Sequence, residues 1–193
     1  RFAKSLIHSD QGKLYAIASH TDTKLDLFKE EYPEISTYTD YMQILEDKNV
    51  DVVYIALRHK DHYKWAKEAL LNKKAVLCEK PATLSVEEMI DLKKLSIENQ
   101  SFFMEGIKTR FIPVIQELKR LLDEEVIGKI LTIENRFCYD IRNTKETRYL
   151  YDPEQGGILN DVGSYVLGSI IDYIHVPLKE INVEAHYEHG VDV

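Results

Sequence analysis

The sequence is poor in cysteine, carries no excess of positive charge and holds no long apolar run. Two cysteines in 193 residues exclude a disulfide framework, which needs several pairs. Cys78 and Cys138 each fall in a strand-like stretch and are expected to be reduced and buried, in a cytoplasmic protein. Acidic residues outnumber basic ones, 33 against 25, and the net charge is −8. That balance argues against a nucleic-acid partner, which wants a basic face. The short basic runs Lys73-Lys74 and Lys93-Lys94 read as solvated helix surface. No run approaches the roughly 18 apolar residues of a membrane helix, and no signal-peptide pattern opens the chain. The first residue is Arg1 rather than Met, so further sequence is expected before it.

What is present is 44% hydrophobic and 30% charged, an ordinary globular composition with apolar mass for one or two cores. Up to about residue 106, short apolar runs alternate with helical segments. LYAIAS (14–19), VDVVYIAL (50–57), KAVLCE (74–79) and SFFME (101–105) suit strands buried on both faces, as in a parallel sheet. Helices are expected over 22–31, over 62–72 with Trp65, Ala66, Ala69 and Leu70 on one face, and over 86–98. The last opens on Ser85-x-x-Glu88, a capping box. Strand–helix–strand repetition with right-handed crossovers predicts a doubly wound α/β domain over 1–106.

Beyond residue 106 the period changes. Pro113 suits a first helical turn, and 113–122 carries an apolar stripe with Gly128 beyond its end. Leu131, Ile133, Phe137 and Tyr139 alternate with polar neighbours, and Ile181, Val183, Ala185 and Tyr187 do the same. Period-two strands with one polar face predict an antiparallel sheet. Gly156-Gly157 precedes a helix over about 160–174. Residues 107–193 are therefore expected to form a second, α+β domain. The C-terminus of that domain is expected to be incomplete, since a sheet of two or three strands is marginal.

Chemistry-bearing residues gather where strands end. Ligands of open α/β sheets bind outside the carboxyl ends of the strands. CEKP (78–81) lies at one such end and LRHKDH (57–62) at another, presenting His59, His62, Glu79 and Lys80. A lysine held there suits proton transfer or polarisation of an oxygen. The competing reading is a lysine snorkelling to solvent beside Glu79. His59-x-x-His62 lacks a third ligand and is not read as a metal site; a helix-start histidine contacting backbone or ligand is preferred. Asp161 and Tyr165 stand at i, i+4 on one helical face, and helix capping is the alternative to a functional role.

Three blocks, IALRHKDHYKWAKEALLNKKAVLCEKPATLS, MEGIKTRFIPVIQELKRLL with IGKI, and GGILNDVGSY, resemble the Gfo/Idh/MocA oxidoreductase family. The likeness is strongest to the branch that holds dimeric dihydrodiol dehydrogenase and glucose–fructose oxidoreductase. It covers nearly the whole chain, and the order and spacing of the blocks make it specific. It implies a Rossmann-type NAD(P)-binding domain and a C-terminal domain with an open, mostly antiparallel sheet. The implied reaction is hydride transfer between nicotinamide and a hydroxyl-bearing carbon of a sugar, polyol or cyclic diol. The alternative is a non-catalytic NAD(P) sensor on the same fold. Lys80 matches the lysine that meets the substrate oxygen. Asp161 and Tyr165 match the D-x-x-x-[H/Y] pattern across the cleft, with Tyr165 as the proton relay, its acidity raised by the cation. The glycine-rich phosphate turn and the strand before it are absent, which reads as N-terminal truncation. Leu57, Arg58, His62, Glu79, Lys80 and Pro81 are expected along the path to the nicotinamide, with a Lys80–Pro81 bond that can be cis at low cost. Ser19, His20 and Lys24 are expected near the adenosine ribose, where small polar and basic groups favour NADP and Asp22 speaks for NAD. The open sheet implies a homodimer or larger assembly.

Overall fold

The computed structural model describes residues 2–138 and 149–193. Five strands and five helices precede residue 106: α1 (Phe2–Leu6), β1 (Ala16–Ala18), α2 (Asp22–Glu31), β2 (Ser36–Tyr38), α3 (Tyr41–Glu46), β3 (Val52–Ile55), α4 (His59–Leu71), β4 (Ala75–Cys78), α5 (Val86–Glu98) and β5 (Phe103–Glu105). β1 and β2 pair in parallel, Ala16 opposite Ser36. The second sheet takes the order β3-β4-β5. Its neighbouring strands are joined through α4 and α5, the crossover that parallel neighbours require. Then come α6 (Pro113–Asp123), α7 (Ser164–Tyr173) and the antiparallel pair β6 (Tyr187–Glu188) and β7 (Val191–Asp192).

The chain divides into two compact units that interleave in sequence. The first comprises Arg1–Ile55, Lys64–Leu77 and Asp91–Phe103; the second comprises Ala56–Tyr63, Cys78–Ile90 and Met104–Val193. In the first unit, Ala66, Ala69, Leu70, Val76 and Leu92 are fully buried, the apolar faces of α4 and α5 and the strand between them. Lys74, expected as solvated surface, is instead buried. Its ammonium donates to the carbonyls of Asp47 at 2.6 Å and Val50 at 2.7 Å. A buried ammonium needs such acceptors, and here they are two carbonyls of the turn into β3, that of Asp47 also accepting from the Val50 amide at 3.2 Å. Asp47 is a hub. Its carboxylate accepts from the hydroxyls of Tyr15 at 2.9 Å and Tyr38 at 2.7 Å and from both nitrogens of Asn49.

The second unit buries Cys78, Ala82, Ile107, Leu150, Val162 and Val191. Residues 131–138 are not a strand, and of 180–187 only Tyr187 enters one. The alternation in both stretches is real, but Leu131 is 93% exposed and Val183 80%. A period-two pattern sets which face will be buried; it forms a ladder only where a partner strand and a cover exist. Tyr139 lies outside the described residues. Cys138 is exposed rather than buried, since the stretch that carries it has no cover. Cys78 is buried as expected, and burial, with Glu105 and Glu79 nearby, pushes its thiol up to about 12.

Among the described residues, no helix is long and apolar enough to cross a membrane.

Candidate active site

Lys80, Asp161 and Tyr165 meet in the second unit. Lys80 follows β4, where the backbone leaves the sheet through Glu79 and a cis Lys80–Pro81 bond. Its neighbour β5 is pinned to the same turn. The amide of Gly106 donates to the Cys78 carbonyl at 2.7 Å, and the amide of Ala82 donates to the Glu105 carboxylate at 2.8 Å. A Cβ at Gly106 would stand 3.2 Å from the Cys78 oxygen, so a bare backbone lets the two strand ends close up. His62 braces the turn from below the start of α4. It is 1% exposed, with Nδ1 2.7 Å from the Pro81 oxygen and Nε2 3.1 Å from that of Leu57. Both ring nitrogens thus face main-chain carbonyls, and the ring ties the ends of β3 and β4 together.

Asp161 arrives on a single wide helical turn, Leu159–Gly163, that leads into α7. The turn is launched by Gly156-Gly157. A Cβ on Gly156 would fall 2.2 Å from the Leu150 carbonyl oxygen, and Gly157 has φ +93, a left-handed backbone that glycine adopts freely. From 33 residues further on, Asp192 Oδ2 accepts from the Leu159 amide at 2.7 Å, satisfying one of the orphan donors of a helix start. Asp161 itself does no capping. Its Oδ1 accepts from Lys80 Nζ at 2.8 Å, and its own carbonyl accepts from the same ammonium. Their side chains are only 14% and 11% exposed. An ammonium has three N–H groups; two are taken, which leaves one to aim at an oxygen of a bound molecule.

Tyr165 lies one turn beyond Asp161. Its ring centroid is 5.4 Å from Lys80 Nζ and 5.9 Å from Lys108 Nζ, and Phe137 stacks on it at 6.2 Å. The expectation that Lys80 would make this phenol more acidic is overturned. Burial, then the charges of Glu79 and Asp161, hold its pKa above the ordinary value. Lys80 does not offset this: its ammonium is bonded to Asp161 and lies by the ring. At neutral pH Tyr165 is a proton donor.

His59, 4% exposed, donates from Nδ1 to the Gln155 carbonyl at 3.0 Å and meets Tyr149 edge-on at 4.8 Å. Burial chiefly, with His62 and Lys80 adding to it, lowers its pKa, so the ring is neutral. Gln155, 1% exposed, is a site residue that sequence reasoning missed. Besides receiving His59 it donates to Asp152 at 2.5 Å. Lys108 and Phe137 were missed as well: Lys108 lies inside the block MEGIKTRF without a recognised role, and Phe137 lies outside all three blocks. Arg58 is exposed; the bond from Gln155 and then the Glu154 amide hold the Asp152 carboxyl down, with the charges of Lys60 and Arg58 adding less.

In the first unit, Ser19, His20 and Lys24 occupy the end of β1 and the start of α2. The Ser19 hydroxyl accepts from the Thr21 amide at 3.1 Å, and His20 Nδ1 donates to the Thr39 carbonyl at 2.8 Å. Lys24 is exposed. A hydroxyl, an imidazole and an ammonium, with no carboxylate before Asp22, form a donor set that fits the ribose end of a dinucleotide. No group of three or more His, Cys, Asp or Glu among the described residues is arranged to hold a metal ion.

Family models decide the lineage. The model of an oxidoreductase family with an NAD-binding Rossmann fold matches residues 1–107, and that of the GFO/IDH/MocA C-terminal domain matches residues 115–193. The chain belongs to the GFO/IDH/MocA family. Trans-1,2-dihydrobenzene-1,2-diol dehydrogenase of Sus scrofa is 30% identical over 97% of this chain and 56% of its own length; that of Mus musculus is 29% identical over the same shares. The chain therefore spans about half the length of the curated relatives it matches. Among solved structures, a probable dehydrogenase from Thermotoga maritima superposes with a TM-score of 0.75 at 22% identity, over 89% of this chain and 50% of that one. Scyllo-inositol dehydrogenase from Lactobacillus casei gives 0.62 at 25% identity, over 66% and 39%. The Rossmann-type domain expected from the sequence is thus present, and of the expected antiparallel sheet the described residues form the small β6–β7 pair.

Proposed function

We propose that the protein is an NAD(P)-dependent oxidoreductase acting on a hydroxyl-bearing carbon of a sugar, polyol or cyclic diol. The observation that carries this reading is the meeting of Lys80, Asp161 and Tyr165 at the carboxyl end of β4. The relatives named above are dehydrogenases of a dihydrobenzenediol and of scyllo-inositol, both ring carbinols, which supports the substrate class. The nicotinamide, when bound, accepts or returns the hydride. Ser19, His20 and Lys24 would hold the adenosine ribose, with NADP preferred to NAD. Leu57, Arg58, Glu79 and Pro81 would line the approach to the nicotinamide. His62, with both nitrogens engaged internally, fixes the turn that positions Lys80.

Lys80 directs its third N–H to the reacting oxygen, and Asp161 fixes that direction. Tyr165 carries the proton. As a phenol it donates to the carbonyl oxygen in the reductive direction; for oxidation it must first be deprotonated, so the oxidative rate rises with pH. The working assembly is a homodimer or larger in the cytoplasm, with the two functional domains divided near residue 106.

The test is a screen of aldoses, polyols and cyclic diols with NADP and NAD on full-length protein, following reduced-cofactor absorbance. Lys80→Met should lower turnover about 100-fold or more while cofactor affinity stays within a few-fold. Tyr165→Phe should remove the alkaline rise of the oxidative rate, and Ser19→Asp should shift preference toward NAD. Near wild-type turnover in both Lys80→Met and Tyr165→Phe would refute the site. Tight NADP binding with no carbinol oxidised would refute the activity.

A further inference from the structure

Lys108 is a second cation at the site, and nothing in the proposed reaction uses it. It sits in the short turn Lys108–Phe111 that follows β5, and its ammonium lies 5.9 Å from the Tyr165 ring centroid. Its placement is built. The amides of Ile107 and Lys108 bond back to the carbonyls of Glu105 and Gly106 at 2.9 Å each, and the contacts of Gly106 and Glu105 with Cys78 and Ala82 register this turn on the one that bears Lys80. Three other cations of the unit are committed to carboxylates. Lys80 is paired with Asp161, Lys60 with Glu154, and Arg110 grips Asp172 with two bonds of 2.7 and 2.9 Å. His59 is held neutral by burial. Lys108 is exposed, and among the described residues no carboxylate lies within ion-pair distance of it. In a chain with 33 acidic residues, that is a charge left for something else.

We infer that Lys108 recognises an anionic substituent of the substrate, a carboxylate or a phosphate monoester, on the molecule whose carbinol Lys80 engages. This rests on the reading of the Lys80 site as a carbinol site. Each ammonium lies within 6 Å of the Tyr165 ring centroid, so a molecule seated against that ring can offer its carbinol to Lys80 and a charged substituent to Lys108. Glu79 and Asp161, whose charges reach the Tyr165 phenol, act against an anion at the hydroxyl itself, which confines the charged group to the reach of Lys108. A neutral polyol would leave this ammonium without a partner; a sugar acid or sugar phosphate supplies one.

The experiment compares binding of D-glucose, D-glucuronate and D-glucose 6-phosphate to full-length protein saturated with NADP, by calorimetry. A charge-assisted hydrogen bond predicts that at least one anionic probe binds about ten-fold or more tighter than glucose. Tighter glucuronate identifies a carboxylate and tighter glucose 6-phosphate a phosphate. The preference ratio should fall to near unity in Lys108→Met, return in Lys108→Arg, and weaken with added salt. No preference in the wild type, or a preference that survives in Lys108→Met, overturns the inference. Since the readout is binding, it is separable from the parent reading, whose activity fails if no carbinol is oxidised and whose site fails if Lys80→Met and Tyr165→Phe leave turnover intact.

Discussion

Separating Lys80 from Asp161 should cost far more than removing both. At 2.8 Å the Coulomb attraction is about 6 kcal/mol for an effective dielectric near 20, and the desolvation of two nearly buried charges offsets much of it. A single deletion leaves the partner charged, enclosed and unpaired, which costs about 3–5 kcal/mol in a fully buried pair. With 14% and 11% of the side chains still open to water, about 3 kcal/mol is expected for Lys80→Met and again for Asp161→Ala. In a protein of this size each corresponds to a fall of about 6–12 °C in Tm. The double variant carries no stranded charge and should lose less than about 2 kcal/mol, well short of the additive 6. Guanidinium unfolding of the four proteins without cofactor gives the cycle directly. Additive losses would refute the reasoning, because they would mean that each group is served by solvent and not by its partner.

The Asp47 hub should make the first unit sensitive at both ends of the pH scale. The Tyr38 hydroxyl, with the Asn49 amide behind it, holds the Asp47 carboxyl down to about 2. Its contribution is complete above the unfolded value near 4 and is lost as pH falls through about 2. The same bond raises Tyr38 to about 12, a contribution present below about 10 and lost as pH rises to 12. Tyr38→Phe should flatten both limbs in pH-dependent thermal unfolding, and unchanged limbs would contradict the assignment. Two glycines should respond in opposite directions. Gly156→Ala forces a Cβ to 2.2 Å from a backbone oxygen and should cost about 1–3 kcal/mol or more. Gly168→Ala, inside α7 with its nearest neighbours at 3.8 and 3.9 Å, should gain about 0.5–1 kcal/mol. Melting temperatures of the two variants decide it.

The parallel half of the molecule was legible because each of its long strands is a continuous apolar run between helices, and α2 and α5 have the boundaries their patterns predict. β2 was missed, since Ser36–Tyr38 is a three-residue strand with no apolar run to mark it. Lys74 was misread because charge alone cannot show that two carbonyls of the turn before β3 await it. The capping box at Ser85 half formed: Glu88 reaches the Leu84 amide at 3.0 Å rather than that of Ser85, while the Ser85 hydroxyl accepts from Glu88 at 3.2 Å. Within the candidate site, Lys80, Asp161 and Tyr165 were found through their motifs, and the structure brings them together. The sense of the Tyr165 shift was not legible, because it is set first by burial and then by the charges of Glu79 and Asp161, which only the fold brings to the ring. Gln155 and Lys108 matter through where the fold puts them, and no spacing announces that.

The Asp192 contact bears on how this segment could be transplanted or reshuffled. The block GGILNDVGSY reads as a portable cassette, yet its first free amide is satisfied by a carboxylate from a hairpin 33 residues away. A chimera that imports the block without that hairpin would receive Asp161 on a turn that starts unanchored. A swap at 157–192 as one piece would carry its own registration. Drift at position 192 would therefore be inherited together with the glycines at 156 and 157.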